Sequence, residues 1–148
     1  MSGIIDRFRG DAGRGNLIDA MLQQQIVSGN RELAEELADR AEIIEVTEGE
    51  AIISQGGSDN DLFLIVAGSF RIVVNGRDVA SRGRGDHVGE MVVVEPSQRR
   101  SADVVATETG LVAKITHADI NEVASRYPDI YRVIARTLAR RLLEHNKL

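Results

Sequence analysis

The spacing of apolar residues divides the chain into three parts. Across residues 16–42 apolar side chains recur at helical spacing, whereas across residues 43–116 they form short runs separated by turn-forming residues. Helical spacing returns over residues 117–148. The pattern predicts a mainly β fold, an antiparallel β-roll or jelly-roll barrel, flanked by two N-terminal helices and a bent pair of C-terminal helices.

The N-terminal part is predicted to contain two short helices after an irregular lead. Four glycines among charged residues make residues 1–15 a candidate flexible lead. A basic arm is the alternative, although two aspartates dilute its charge. Asn16 is a candidate N-cap for a helix that ends near Ser28, and Asn30 is a candidate cap for the second helix. We expect both helices to pack on the core, and a partner-binding helical pair is the alternative.

Turn signals in the middle part indicate hairpins. Asn75-Gly76 separates two apolar runs and is a strong two-residue hairpin signal. Residues 55–60 have the composition of a loop. Strands this short, joined by turns this frequent, are typical of antiparallel barrels and sandwiches.

The C-terminal part reads as two helices with a bend between them. Thr116, followed three residues later by Asp119, is a candidate capping pair. Pro128 suits the first turn of a final helix that runs to about Asn146, and it disfavours helical geometry at Tyr127. This final helix carries an apolar stripe formed by Ile130, Ile134, Leu138 and Leu142. It also carries an arginine stripe formed by Arg132, Arg136 and Arg140.

Composition narrows the class of protein. The chain has 148 residues, 43% hydrophobic and 28% charged, which suits one globular domain. A net charge of −5 argues against nucleic-acid binding through phosphate contacts. No apolar stretch reaches the ~20 residues that span a bilayer, so no membrane partner is expected. The chain has no cysteine, which is compatible with the cytoplasm, the location that we expect.

A glycine-rich stretch over residues 85–105 carries the candidate chemistry. It contains an acid, Glu90, a short apolar run and a pair of arginines, of which Arg100 directly precedes Ser101-Ala102. A carboxylate accepts hydrogen bonds from sugar hydroxyls, and an arginine binds phosphate with a bidentate fork of donors. A glycine such as Gly89 lets backbone N–H groups approach an anion. The stretch therefore predicts a loop that holds a sugar phosphate.

The order of these residues resembles the phosphate-binding cassette of the cyclic nucleotide-binding domain family. The matching elements are Gly89-Glu90 and Arg100-Ser101-Ala102. The resemblance implies a 3′,5′-cyclic nucleotide as the ligand, with Glu90 at the ribose 2′-hydroxyl and Arg100 and Ser101 at the cyclic phosphate. Backbone N–H groups of residues 89–92 would complete the phosphate site. The cassette residues expected at the ligand are Val88, Gly89, Glu90, Met91, Val92, Arg100, Ser101 and Ala102.

Three details refine this expectation. If the chain forms a strand at the arginine pair, Arg99 and Arg100 point to opposite faces, and Arg99 is the solvated one. Val92–Val94 are poor helix formers, so the cassette helix should be strained or only one turn long. His87, where the family often has an aromatic or aliphatic residue, is interpreted as a surface turn residue.

The end of the last helix resembles the lid helix of cyclic-AMP-responsive bacterial regulators. The resemblance implies that this helix closes over the nucleotide and that Arg141, His145 and Asn146 approach the base. Hydroxyl side chains are expected there for adenine, so His145 and Asn146 argue against it and leave a pyrimidine or guanine open. The alternative is that the helix frays after Leu143 and exposes these side chains.

The organisation also resembles the N-terminal sensor half of bacterial anti-phage effectors of the cyclic-pyrimidine (Pycsar) type. The similar stretches are residues 17–41, 74–79 and 87–91. The resemblance implies cyclic UMP or cyclic CMP as the ligand, a homodimer formed through helices, and a fused TIR domain, outside this chain, that degrades NAD. Within this chain we expect a sensor with no catalytic residues, no metal and no cofactor.

Other classes of protein remain as alternatives. A cyclic-AMP-responsive regulatory domain of a transcriptional or kinase system is the nearest, and a degenerate scaffold that binds no nucleotide is another. A cupin-like enzyme would need clustered histidines and carboxylates to hold a metal, and the three histidines, His87, His117 and His145, are far apart in the sequence.

Overall fold

Two antiparallel four-stranded sheets form a β-roll in the computed structural model, which describes residues 3–146. Their strand orders are β1-β8-β3-β6 and β2-β7-β4-β5. The strands are β1 (Glu42–Val46), β2 (Ala51–Ile53), β3 (Leu62–Ala67), β4 (Phe70–Val74), β5 (Arg77–Arg82), β6 (His87–Val88), β7 (Asp103–Ala106) and β8 (Gly110–Ile115).

Helices precede the roll, interrupt it once and follow it. A short 3-10 helix, Ile4–Phe8, comes first. The α-helices are α1 (Gly10–Leu22), α2 (Arg31–Arg40), α3 (Met91–Val94), α4 (His117–Arg126) and α5 (Asp129–Asn146). This antiparallel roll with flanking helices confirms the predicted fold class. No helix within residues 3–146 combines the length and the apolar character that crossing a bilayer requires.

Strand β3 lies between the two hydrophobic clusters of the protein. Successive side chains of a strand point to opposite faces. Leu62 and Leu64 therefore pack into the cluster under the helices, while Phe63 and Ile65 pack into the cluster between the sheets. The continuous apolar run in the sequence reflects this burial on both faces.

The N-terminal helix begins and ends earlier than the sequence predicted. The predicted flexible lead over residues 1–15 is wrong for the part that the structure describes, because α1 begins at Gly10 and ends at Leu22. Gly13 lies so close to the Phe8 backbone that a Cβ would be 2.2 Å from its carbonyl carbon. Close packing of small residues thus overrides their low helix propensity. Asn16 lies within α1, and its side chain donates to the Arg7 carbonyl at 2.7 Å instead of capping a helix.

The other predicted caps are confirmed. The Asn30 side chain accepts a hydrogen bond from the Leu33 N–H at 3.2 Å and begins α2. Thr116 likewise accepts from the Asp119 N–H at 3.2 Å and begins α4. Tyr127 has φ −126° and ψ 70°, which is the predicted bend before α5.

Helix α5 is anchored in the core at its start and lies over the cassette further along. Ile130 and Ile134 are fully buried under the helices. One turn or two later, Leu138 is half-buried and Leu142 is 61% exposed. The predicted apolar stripe therefore changes along its length from core contacts to contacts at a cavity.

Candidate functional site

A cavity of about 490 Å³ lies between the β2-β7-β4-β5 sheet, the cassette and α5. This volume is within the usual range for small-molecule sites, ~300–1,000 Å³. Ile53, Ile72, Val74 and Val104 form an apolar wall. The cassette and lid residues that the sequence predicted and the structure brings to the cavity are Val88, Gly89, Glu90, Met91, Val92, Arg100, Ser101, Ala102 and Arg141.

The cassette folds around a glycine and a single helical turn. Gly89 has φ +81°, a conformation that glycine adopts without steric cost. Helix α3 follows over only four residues, Met91–Val94, in line with the prediction from its three valines. Val92 and Val93 are buried beneath the loop, whereas Met91 is 41% exposed at the cavity.

Arg100 is held rigidly at one end of the cavity. Its side chain is only 3% exposed, and its guanidinium contacts Asp59 at 2.8 Å. The same group donates to the Asp61 carbonyl at 2.6 Å and to the Gly89 carbonyl at 3.2 Å. These contacts fix the plane of the guanidinium and occupy four of its five N–H donors, which leaves one donor on Nη1.

Arg100 is the buried arginine of the pair, as predicted, but the reason differs. Arg99 is exposed and donates to the Gly56 carbonyl at 3.0 Å. Strand β7 begins only at Asp103, so no strand alternation separates the two arginines. Backbone hydrogen bonds between Arg100 and residues 56–57 orient it instead.

Sequence reasoning missed Asp59. Asp59 lies in the predicted loop over residues 55–60, and the structure pairs it with Arg100 across 41 positions of the chain. Turn acids are common in any loop, and no local signal distinguishes one that a distant arginine will contact.

Glu90 is joined to the C-terminal helix. It is 5% exposed and accepts a hydrogen bond from the Arg141 guanidinium. Arg141 also donates to the His87 carbonyl at 2.9 Å. The carboxylate at the middle of the cassette therefore holds α5 across the cavity.

The interpretation of His87 as a surface turn residue is wrong. His87 is fully buried on β6, directly opposite Leu64 of β3. Neither ring nitrogen has a hydrogen-bond partner among the described residues. Burial lowers the pKa of His87 to about 4, so the ring is neutral at pH 7. The sequence did not predict this burial, because β6 has only two residues and directly follows a turn, so it shows no strand pattern.

The lid helix contributes three described residues to the cavity: Leu138, Arg141 and Leu142. The side chains of His145 and Asn146 lie outside the described part of the protein, so their predicted approach to the base stays a prediction. Arg82 of β5 also lines the cavity, and sequence reasoning missed it. Its position depends on strand register, which the sequence alone does not give. Among the described residues no group of His, Cys, Asp and Glu side chains is arranged to hold a metal.

A family model, the cyclic nucleotide-binding domain, matches residues 43–127. The chain belongs to the cyclic nucleotide-binding domain family. It is 50% identical over 144 residues to the Pycsar effector protein BcPycTIR of Burkholderia cepacia, covering 97% of the chain and 48% of that protein. It is 39% identical over 145 residues to PaPycTIR of Pseudomonas aeruginosa, covering 98% of the chain and 47% of that protein. The domain thus spans about half the length of these relatives.

Solved structures agree on the fold of this domain. The cyclic-AMP-bound PfPKA-R (141-441) superposes with a TM-score of 0.82 at 17% identity, covering 90% of the chain and 46% of that structure. The catabolite activator protein of Thermus thermophilus superposes with a TM-score of 0.73 at 26% identity, covering 83% and 60%. The fold therefore agrees with the cyclic nucleotide-binding domain that the family model identifies.

Proposed function

We propose that this domain binds a cyclic pyrimidine nucleotide, cyclic UMP or cyclic CMP, and acts as the sensor of an anti-phage effector. The observation that carries the proposal is that Glu90 and Arg100 face one cavity of suitable volume. The relation to Pycsar effectors, at 50% identity to one of them, supports the pyrimidine class of ligand.

Arg100 would bind the cyclic phosphate. Its guanidinium is buried and oriented by Asp59, so little side-chain entropy is lost when an anion arrives. Ser101 and the backbone N–H groups of residues 89–92 would complete the phosphate contacts. A charge-assisted hydrogen bond in a site screened from water is stronger than a neutral one.

Glu90 would accept a hydrogen bond from the ribose 2′-hydroxyl while it keeps its contact with Arg141. A carboxylate has enough lone pairs for both partners. The ligand would thus contact the cassette and, through Glu90, the lid helix. Nucleotide binding can then favour one position of α5, to the extent that it binds that position more tightly.

The output would lie outside this domain. Because the domain spans about half of its effector relatives, we propose a fused TIR domain that degrades NAD. We also propose that the domain forms a homodimer through its helices when it binds the nucleotide, and that it works in the cytoplasm. Full-length product of the natural gene, incubated with NAD and cyclic UMP, tests this role. Nucleotide-dependent loss of NAD supports it, and NAD that stays intact contradicts it.

The ligand site is tested by calorimetry with Arg100→Lys and, as the control, Arg99→Lys. Lysine keeps the charge but loses the planar fork, so Arg100→Lys should weaken binding of the cyclic pyrimidine by about 10- to 100-fold. Arg99 also lines the cavity, but it is exposed and donates to the Gly56 carbonyl, so Arg99→Lys should lose less affinity than Arg100→Lys. Equal affinities of the two variants, with both folded by circular dichroism, would contradict the assignment of Arg100. If the parent binds cyclic AMP more tightly than the cyclic pyrimidines, the result would favour the alternative function, a cyclic-AMP-responsive regulatory domain. The cyclic-AMP-bound PfPKA-R structure shares the fold of this domain.

A further inference from the structure

Arg82 lies at the end of β5 with its side chain toward the interior of the roll. Its register partner on β4 is Phe70, which is fully buried. Directly opposite residues in an antiparallel pair project to the same face of the sheet. Arg82 accordingly lines the main cavity, and it also lines an adjoining polar cavity of about 130 Å³ beneath α5.

The guanidinium of Arg82 keeps donors that no described residue uses. Its Nη1 donates to the neighbouring Ser81 carbonyl at 2.9 Å. Its Nε is buried and has no hydrogen-bond partner among the described residues. The nearby acid Asp86 accepts from Gln25 and from the Gly83 N–H instead.

The other arginines of the cavity already have roles. Arg99 donates to the Gly56 carbonyl, Arg100 is assigned to the phosphate, and Arg141 contacts Glu90 and the His87 carbonyl. Buried donors are rarely left without a partner, and each one that is left costs free energy. Arg82 lines the cavity with a guanidinium whose one hydrogen bond among the described residues runs from Nη1 to the Ser81 carbonyl.

Arg82 lines the same cavity as Glu90 of the cassette and Arg141 of the lid helix. In a 3′,5′-cyclic nucleotide the phosphate bridges one side of the ribose and the base leaves from the other. With phosphate at Arg100 and ribose at Glu90, the base extends toward the lid and the end of β5.

We infer that Arg82 donates to a carbonyl oxygen on the edge of the base and so selects uracil over cytosine; this inference rests on the proposed function. A guanidinium has donors and no acceptor. Uracil has a carbonyl oxygen at position 4, whereas cytosine has an amino group there, which is itself a donor. Cytosine would leave two donors facing each other with no acceptor between them, so its cyclic nucleotide should bind at least about 10-fold more weakly.

Cyclic UMP and cyclic CMP are matched probes, because they share the sugar and the cyclic phosphate and their bases differ only at position 4 and in the proton on N3. We would titrate both into the parent chain, Arg82→Met and the control Arg84→Met, which changes an exposed arginine of the same corner. Methionine keeps the apolar stem of Arg82 and removes its donors. The parent and Arg84→Met should prefer cyclic UMP by about 10-fold or more. Arg82→Met should bind the two nucleotides within about 3-fold of each other, mainly through loss of affinity for cyclic UMP.

Arg82→Gln provides a second variant if Arg82→Met does not fold. The glutamine amide has both a donor and an acceptor, so it can pair with either base and the preference should again disappear. If a folded variant still prefers cyclic UMP to cyclic CMP, Arg82 does not select the base. The same conclusion follows if a variant loses affinity for both nucleotides equally. Equal binding of the two nucleotides by the parent would overturn this inference alone. Binding of neither by the parent would overturn the proposed function itself.

Discussion

Arg141, near the end of the last helix, donates a hydrogen bond to Glu90 of the cassette, which lies 51 positions earlier in the chain. The acceptor is a buried carboxylate, and the donor is 20% exposed at the rim of the cavity. This contact joins the predicted ribose-binding group to the lid. A change at either residue should therefore affect both the affinity for ligand and the position of α5.

Arg141→Gln should weaken binding of the cyclic nucleotide by about 10- to 100-fold, because it leaves a buried carboxylate without its charged partner. It should also increase hydrogen exchange of the amides in the second half of α5. Calorimetry and exchange measured by mass spectrometry check the two effects. The control is Arg140→Gln, which changes the exposed neighbour. If both variants bind and exchange alike, the contact with Glu90 does not hold the lid.

Gly89→Ala should impair the site more than the fold. A Cβ at Gly89 would lie 2.6 Å from Arg100 Nη1 and 3.0 Å from the Asp61 carbonyl oxygen. The new methyl group therefore displaces the guanidinium. Gly76→Ala is a matched control, because Gly76 also has a positive φ, +79°, but has no atoms within 4 Å of an added Cβ.

Both glycine variants should lose about 1–2 kcal/mol of unfolding free energy from backbone strain. Only Gly89→Ala should lose affinity, by about 10-fold or more. Denaturant titration and calorimetry separate these two quantities. Parent-like affinity in Gly89→Ala would show that the position of Arg100 does not depend on the close approach of Gly89.

Stability should decline as the pH falls from about 6.5 toward 4. His87 has its pKa lowered from 6.5 to about 4 by burial. Between these values the unfolded chain binds the proton and the folded chain does not, so protonation favours unfolding. Above pH 6.5 the ring is neutral in both states, and this contribution to the pH dependence vanishes.

Between pH 4 and 6.5, this one group should change the free energy of unfolding by up to about 1.4 kcal/mol per pH unit. Urea denaturation at several pH values measures it. His87→Leu, which keeps the position apolar, should flatten the profile between pH 4 and 6.5. His117→Gln, which changes the half-buried first residue of α4, is the control and should leave the decline in place. A decline of unchanged slope in His87→Leu would assign the pH dependence to other groups.

Ending the chain after Arg136 should weaken nucleotide binding strongly, because the truncation removes Leu138, Arg141 and Leu142 from the cavity. Ending it after Glu144 keeps these three residues and removes His145 and Asn146, so it should weaken binding much less than the shorter truncation does. Calorimetry on the two truncated chains compares them. Similar affinity of the shorter chain and the parent would show that α5 is not a lid.

Local signals in the sequence predicted most of the fold. The caps at Asn30 and Thr116 depend on hydrogen bonds between residues three apart, which local composition can encode. The cassette was recognisable because Glu90 and Arg100 lie ten positions apart in one stretch. Residues 3–15 were mispredicted because the close packing of Gly13 on Phe8 is a tertiary contact.

The site contains relationships that local sequence does not encode. Asp59 reaches Arg100 from a loop 41 positions earlier. Arg82 enters the cavity only through the register of β5 against β4. Buried His87 depends on a two-residue pairing with β3. These three contacts form only when distant parts of the chain come together in the folded protein. Such contacts leave no periodic pattern of apolar residues in the sequence.

Titration calorimetry of the chain with cyclic UMP and with linear 5′-UMP tests the central claim most directly. The two ligands share base and sugar and differ in the phosphate ring that the cassette is proposed to hold. We predict a dissociation constant of about 10 µM or tighter for cyclic UMP, and binding at least about 100-fold weaker for 5′-UMP. Equal binding of the two ligands, or binding of neither, would contradict the account.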